Sequence, residues 1–211
     1  SRTAGGTQGN GSSSDPVISA DGRYVAFVTE ATNLGLASGG IVLKDMVTGT
    51  VTPVAAKRAK PAMTADGRFI AFYSNATDLV AGDTNKKQDA FLWDRTTQTT
   101  VRVSLTEEGT EANADSVTDD NATPAISADG RYVAFASRAD NMVLHDANGV
   151  ADIFVREFGG SKFRQRINFP SPVAYQANGA SFTISPTSTA DATNLAVTVT
   201  IGGGCTWGDS T

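Results

Sequence analysis

The chain has 211 residues, enough to bury a substantial core in one domain or two. Charged residues make up only 18% of it, and the formal net charge of −5 argues against a nucleic-acid partner, which needs a basic stripe. No apolar run approaches the roughly 20 residues that a helix needs to cross a bilayer, so we expect no membrane span. Abundant Gly, Ser, Thr, Asn and Ala favour short strands and many turns, and therefore an all-β fold.

The N-terminal stretch, residues 1–13, aligns without a gap on residues 104–116. The identical pairs are Ser1 and Ser104, Thr3 and Thr106, Gly6 and Gly109, Thr7 and Thr110, Asn10 and Asn113, and Ser13 and Ser116. In the second copy this segment follows the last strand of a repeat. We therefore expect the chain to begin where the last strand of a preceding repeat has just ended.

Three nearly identical nonapeptides mark an internal repeat: SADGRYVAF from Ser19, TADGRFIAF from Thr64 and SADGRYVAF from Ser127. Asp-Gly supplies the positive φ angles of a two-residue hairpin turn, so a tight turn is predicted in each copy. The residues that follow alternate, with Tyr24 and Ala26 on one face and Val25 on the other. Both faces are apolar, which predicts a strand buried between neighbouring sheets.

A strand, a polar turn and another strand follow each nonapeptide, although the loop before them is shorter in the first repeat. Each unit thus offers four antiparallel strands, and the unit recurs after 45 and then 63 residues. Four strands at such a period indicate the blade of a β-propeller.

The S-x-D-G-R-Y/F-V/I-A-F signature, with D-x-F-x-x-D-R-x-T downstream, resembles the TolB-type, WD-like propeller repeat of bacterial exported proteins. The resemblance covers residues 1–168 and implies a partial β-propeller of about three four-stranded antiparallel blades. Propellers typically need four to eight blades to close, so the ring is expected to be incomplete. Other copies of the chain, or missing segments of a parent protein, would then cover the open sheets.

The composition changes after a predicted linker at residues 169–172. Residues 173–211 resemble the N-terminal half of a BACON-like domain, an immunoglobulin-like β-sandwich, through alternating runs that end in Gly-Cys-Thr-Trp. The resemblance implies an incomplete sandwich segment, with Trp207 in a core or an interface. Cys205 is the only cysteine and is expected to be a packed thiol.

Two blades carry a matching acidic loop with the spacing Asp-x-Asn-x-x-x-Asp. The candidate ligands are Asp83, Asn85 and Asp89 in the second repeat, and Asp146, Asn148 and Asp152 in the third. Such oxygen ligands suit Ca²⁺, with carbonyls and waters completing the shell. The alternative is an Asx turn, in which Asp and Asn hydrogen-bond the local backbone.

No catalytic constellation emerges from the sequence. His145 is the only histidine, no G-x-S-x-G elbow accompanies it, and no P-loop, H-E-x-x-H or C-x-x-C motif occurs. We expect no required cofactor beyond the candidate Ca²⁺. The leading hypothesis is a non-enzymatic exported bacterial module, extracellular or on the cell surface, that serves adhesion, scaffolding or self-assembly, including filament formation, and binds glycans or surface proteins. The alternatives are a periplasmic or extracellular peptide- or protein-binding propeller, or the non-catalytic propeller part of a larger peptidase or polysaccharide lyase.

Overall fold

The computed structural model describes residues 1–56, 59–106, 108–116, 122–143 and 146–158. All of them belong to one unit of the chain, Ser1–Val173. Every regular element within these ranges is a β-strand, which confirms the predicted all-β class. The predicted linker, the sandwich segment and the fourth strand of the third repeat lie outside the described residues. In the described part, no helix is long and apolar enough to cross a membrane.

The described strands form three antiparallel sheets in which strands adjacent in sequence are adjacent in space. Blade one contains β1 (Ser13–Ile18), β2 (Tyr24–Thr29), β3 (Gly40–Asp45) and β4 (Val51–Ala55). Blade two contains β5 (Ala62–Met63), β6 (Phe69–Ser74), β7 (Asp89–Asp94) and β8 (Thr99–Arg102). Blade three contains β9 (Ala125–Ile126), β10 (Tyr132–Ser137) and β11 (Asp152–Glu157). The predicted four-stranded blade is thus confirmed in blades one and two.

The second strand of blade two packs on both of its faces. In β6, Ile70 and Phe72 contribute to the core between blades one and two. Their neighbours Ala71 and Tyr73 contribute to the core between blades two and three. All four side chains are buried, as the alternating apolar pattern predicted. Burial of each large side chain contributes about 1.5–3 kcal/mol, so these strands bind the blades together.

The turn inside the repeat is longer than the predicted two-residue Asp-Gly turn. Ser19 N–H donates to the Tyr24 carbonyl at 2.9 Å, so four residues lie in the loop. Gly22 has a φ of 73°, but Asp21 is absent from the residues with positive φ. The Asp21 carboxylate instead accepts hydrogen bonds from the Ser19 hydroxyl at 2.5 Å and from Arg23 N–H at 3.0 Å. The prediction was wrong because the aspartate acts through its side chain rather than through a left-handed backbone.

The structure confirms the alignment of residues 1–13 with residues 104–116. Each segment closes a small hairpin, through an Arg2–Gln8 bridge in one copy and a Leu105–Glu111 bridge in the other. The asparagine after each hairpin then binds the loop of the following blade in the same way. Asn10 N–H donates to the side-chain oxygen of Asn33 at 3.0 Å, and Asn113 N–H donates to that of Asn141 at 3.0 Å. We call these two segments the connector hairpins.

Backbone hydrogen bonds join the turns of adjacent blades. Ala20 N–H donates to the carbonyl of Ala65 at 2.7 Å, and Ala65 N–H donates to the carbonyl of Ala128 at 3.3 Å. Each alanine is the second residue of its nonapeptide, so equivalent positions of three blades form one line. Because the contact uses only backbone atoms, it depends on the position of the turn and not on a particular side chain.

The turn glycines of blades two and three each contact an aromatic ring of the preceding blade. A Cβ on Gly67 would lie 2.7 Å from the Tyr24 ring, and a Cβ on Gly130 would lie 2.5 Å from the Phe69 ring. Glycine is therefore required twice, for its positive φ and for close approach of the ring. The Tyr24 ring is covered further by the Arg95 guanidinium, 4.1 Å from the ring centroid. We call this arrangement the ring-on-turn contact.

Candidate functional site

The charged residues of the repeat signature are paired inside their own blade. The Arg23 guanidinium donates to the Asp45 carboxylate at the end of β3, with Nη2 2.9 Å from Oδ2. This hydrogen bond holds the pKa of Asp45 at about 2, below its ordinary value of 3.8. The Ser19 hydroxyl, which donates to Asp21, also accepts a hydrogen bond from Tyr24 N–H at 2.9 Å. Both carboxylates therefore serve to fix the turn against the sheet.

Blades two and three repeat the same network with small changes of residue. The equivalent residues are Thr64, Asp66, Arg68 and Asp94 in blade two, and Ser127, Asp129, Arg131 and Glu157 in blade three. The arginine–carboxylate distances are 2.9 Å in blade two and 2.6 Å in blade three. The most regular polar residues of the sequence are thus structural, and they leave no free acid–base pair at this position.

The acidic loop of blade two forms the Asx turn that was the alternative to calcium. The Asn85 carbonyl oxygen accepts a hydrogen bond from Lys87 N–H at 2.9 Å. The Asn85 amide nitrogen donates to the Asp89 carboxylate at 3.0 Å and to the Ala112 carbonyl at 3.0 Å. Asp89 is fully buried and also accepts a hydrogen bond from the Ser104 hydroxyl at 2.6 Å. The Asn85 side chain therefore points its NH₂ group at Asp89, and its oxygen accepts the hydrogen bond from Lys87 N–H.

A buried arginine lies among the carboxylates of this loop. Arg102 Nη1 is 3.5 Å from Asp83, 3.4 Å from Asp89 and 2.7 Å from Glu111. Its Nη2 donates to the Gly82 carbonyl at 3.0 Å, and only 6% of the side chain is exposed. The guanidinium places a positive charge among the carboxylates of this loop, where it would compete with a bound cation. We call Arg102 and its three carboxylates the arginine cluster.

The pKa values of the carboxylates in the arginine cluster are shifted in opposite directions. Burial raises the pKa of Asp89 and the pKa of Asp83, because a charged carboxylate is poorly solvated there. Glu111 instead has its pKa lowered to about 2, first by the hydroxyl of Thr84 at 2.5 Å and its N–H at 2.7 Å. Arg102 lowers it further. Since Glu111 belongs to a connector hairpin, the cluster fastens that hairpin to blade two.

The acidic loop of blade three has the same local geometry. The Asn148 amide nitrogen donates to Asp152 at 3.0 Å, and its carbonyl oxygen accepts a hydrogen bond from Val150 N–H at 3.0 Å. Burial and the nearby Asp152 charge raise the pKa of Asp146. Within the described ranges, no group of three or more His, Cys, Asp or Glu residues could hold a metal ion. Calcium in these loops stays a prediction, and His145, Cys205 and Trp207 lie outside the described residues.

A groove of about 600 Å³ runs along blade one, between its sheet and the first connector hairpin. Val25, Phe27 and Met46 contribute apolar atoms to its lining. Lys44 also lines the groove, and its ammonium group donates to the Arg2 carbonyl of the connector hairpin at 2.9 Å. The charge of Lys44 is thereby directed to the hairpin, and Ser13 and Ser14 of β1 line the groove beside the apolar side chains.

In blade two, the face equivalent to the one that borders the groove packs on the preceding blade. Val25 and Phe27 occupy the positions that Ile70 and Phe72 occupy in blade two, where both side chains are fully buried against blade one. Phe27 is buried in a small cluster with Leu34 and Val42. Val25, however, is only partly buried, and Ile18, at the end of the adjacent β1, is 64% exposed. We call this surface the open face of blade one.

Sequence reasoning found the acidic loops but missed Arg102 and Glu111. The one available signal was an arginine in the otherwise uncharged strand β8, a position that requires a partner if it is buried. Glu111 gave no signal, because it is an acidic residue in a polar connector. The open face was anticipated only in general terms, as an uncovered sheet.

The antiparallel sheets and their repeated contacts define the described part of this chain as a set of β-propeller blades. Among solved structures it is similar to TolB from Acinetobacter baumannii, at 17% identity and a TM-score of 0.43, over 74% of this chain and 32% of that chain. It is also similar to a putative TolB from Agrobacterium tumefaciens, at 19% identity and a TM-score of 0.44, over 74% of this chain and 46% of that chain. The β-propeller domain of the Trilobed protease from Pyrococcus furiosus is similar at 14% identity and a TM-score of 0.47, over 76% of this chain and 43% of that chain.

The chain therefore spans less than half the length of each of these three proteins. Comparisons with protein-family models and with curated proteins gave no match. The predicted BACON-like segment stays a prediction.

Proposed function

We propose that this chain is a non-enzymatic module of an exported bacterial protein, extracellular or on the cell surface, that acts by self-assembly and scaffolding. The observation that carries the proposal is the open face of blade one. A sheet face that is buried in the other blades here borders an apolar groove, with Ile18 and Met46 64% and 55% exposed beside it. Exposed apolar surface next to a groove is typical of protein-interaction sites.

The distribution of polar groups supports a non-catalytic role. The signature carboxylates and arginines are paired within their blades, and the carboxylates of the arginine cluster surround a guanidinium. A general acid or base needs a titratable group that can reach a substrate. Asp89, whose pKa is raised by burial, instead lies in buried structural hydrogen bonds.

A second candidate function uses the same groove differently. A cavity of about 600 Å³ with an apolar floor has the size and character of a ligand site, so a monomer could bind an extended peptide there. This is the peptide- or protein-binding propeller of the alternative hypothesis, and a propeller part of a larger peptidase or polysaccharide lyase would use the groove in the same way.

Sedimentation velocity over a hundredfold range of concentration tests the assembly proposal. We expect the average mass to rise with concentration above the 21.8 kDa of one chain. A species that stays at 21.8 kDa over the whole range would contradict self-assembly and leave the peptide-binding candidate.

A further inference from the structure

We propose that a second copy of this chain docks head to tail, with blade three of one copy packed on blade one of the other. The docking uses the ring-on-turn contact that already joins neighbouring blades twice within the chain. The inference deepens the proposed assembly function and rests on it, because it names both the partner and the two surfaces that meet.

Three elements make up the contact between blades one and two, and the first and third of them recur between blades two and three. An aromatic ring of one blade lies on the turn glycine of the next, as Tyr24 lies on Gly67. The residue that follows the third strand of blade two, Arg95, covers the Tyr24 ring. Phe158 holds the equivalent position in blade three, and it packs against the same core cluster as Phe69. The third element is the backbone hydrogen bond between turns.

Blade three presents the aromatic ring of this contact, which we call the ring half, but no turn of the described residues lies against it. Tyr132 is equivalent to Tyr24 by its place in the nonapeptide, but it is 38% exposed where Tyr24 is 7% exposed. Ala134 is partly buried, whereas its equivalent Ala26 is completely buried. Among the described residues, no turn carbonyl accepts a hydrogen bond from Ala128 N–H.

Blade one presents the turn of this contact, which we call the turn half, but no ring of the described residues lies on it. A Cβ on Gly22 would meet no heavy atom within 4 Å, whereas its equivalents in the other blades touch a ring. Met46 follows β3 at the position of Arg95, and it is 55% exposed. Ile18 is 64% exposed, whereas the equivalent Met63 and Ile126 are partly buried in the cores between blades. The carbonyl of Ala20 likewise has no turn partner within the described residues.

The two unfilled halves are complementary to each other. Tyr132 of one copy can lie on Gly22 of the other, with Met46 against the ring edge, where sulfur–aromatic contacts are favourable. Ala128 N–H can donate to the Ala20 carbonyl and continue the line of turns. The contact is heterologous, because it joins two different surfaces of the chain. When two copies close on each other, they form two identical interfaces and a ring of six blades. Propellers typically have four to eight blades.

Charged substitutions on each half give the first test, carried out on the full chain. Ile18→Asp alters the turn half and Tyr132→Asp alters the ring half, and both side chains are exposed enough for the blade to fold. Each substitution should weaken dimerisation by about 30-fold or more, because a charge replaces a central apolar contact. Val47→Asp is the matched control, since Val47 is 75% exposed next to Met46. The control should leave the dimer constant unchanged, and circular dichroism reports whether each variant folds.

Mixing the two variants gives the decisive test. The intact ring half of the Ile18→Asp chain should bind the intact turn half of the Tyr132→Asp chain, so an equimolar mixture should recover a heterodimer that neither variant forms alone. A mixture that stays monomeric, or a dimer that is sensitive to only one of the two substitutions, would overturn head-to-tail docking. Head-to-tail docking would also be overturned if the variants lost folding stability while their mass in solution stayed that of the wild type. The two substituted faces would then be covered within one chain.

The outcomes separate this inference from the proposed function. If the wild-type chain is monomeric at all concentrations, both fail. If it assembles but both variants assemble equally well, self-assembly stands and only the head-to-tail geometry fails. Met46→Asp is a second probe of the turn half and should act like Ile18→Asp.

Discussion

Replacement of Arg102 by methionine tests the electrostatic account of blade two. The substitution keeps most of the side-chain volume but removes the guanidinium that lies 2.7 Å from Glu111 and 3.4 Å from Asp89. Asp89 is completely buried, so its charge is left without a cation in a poorly solvated site. Removal of one partner from a buried ion pair costs about 3–5 kcal/mol, which is a large share of the roughly 5–15 kcal/mol that stabilises a typical domain.

Urea denaturation measures this loss, with Trp93 fluorescence as the probe in a Trp207→Phe background. Arg68→Met is the matched control, because Arg68 lies in the same blade and pairs with one carboxylate at 2.9 Å but has 44% of its side chain exposed. An exposed pair contributes about 0–1 kcal/mol, so the control should be nearly as stable as the wild type. An Arg102→Met variant no less stable than the Arg68→Met variant would refute the reasoning.

The same variant should show a characteristic pH dependence. Glu111 has a folded-state pKa of about 2 against an ordinary value of 4.5. Thr84 causes the largest part of this shift and Arg102 a smaller part. The stability that comes from the Arg102 part is present above pH 4.5 and is lost as the pH falls towards 2. Protonation also relieves the repulsion among the carboxylates left by Arg102→Met. The stability difference between wild type and variant should consequently shrink below pH 4.5, and a difference independent of pH would contradict the arginine cluster.

Three further predictions concern local contacts. Lys86 has a φ of 56° where the equivalent residue of blade three is glycine, so Lys86→Gly should raise the free energy of unfolding by about 1 kcal/mol, and a decrease would contradict backbone strain there. Tyr73→Phe removes the hydroxyl that accepts a hydrogen bond from Ala136 N–H at 2.9 Å between blades, and should cost about 1 kcal/mol in urea denaturation; an unchanged midpoint would argue against that bond. Millimolar Ca²⁺ should shift the amide NMR signal of Asn148 more than that of Asn85, because Arg102 lies among the carboxylates of blade two, and the reverse order would contradict the role of Arg102.

The repeat made most of the blade architecture predictable from the sequence. The alternation in β6 places Ile70 and Phe72 on one face of the strand and Ala71 and Tyr73 on the other, as the structure shows. A strand with two apolar faces must contribute to two cores. The alignment of the two connector hairpins also succeeded, since their turns and asparagine contacts are local and are carried by the matching residues.

The features that the sequence did not reveal depend on contacts between distant segments. Arg102, Asp83 and Glu111 come from a strand, a loop and a connector hairpin, and no spacing rule joins them. The turn glycines were assigned only to backbone conformation, because the ring that packs on Gly67 belongs to another blade. The length of the turn was missed because Asp-Gly is compatible with several turn types, and the Asp21 side chain decides among them.

A disulfide cross-link tests head-to-tail docking most directly. The 2.7 Å hydrogen bond between Ala20 and Ala65 should bring their Cα atoms near the roughly 4.4–6.8 Å that a disulfide spans. In a Cys205→Ser background, Ala20→Cys with Ala65→Cys should therefore cross-link within one chain and serve as the positive control. Ala20→Cys with Ala128→Cys should instead yield a covalent dimer on mild oxidation, at twice the 21.8 kDa chain mass. If the control cross-links but the second pair remains at 21.8 kDa, the docking of blade three on blade one is contradicted.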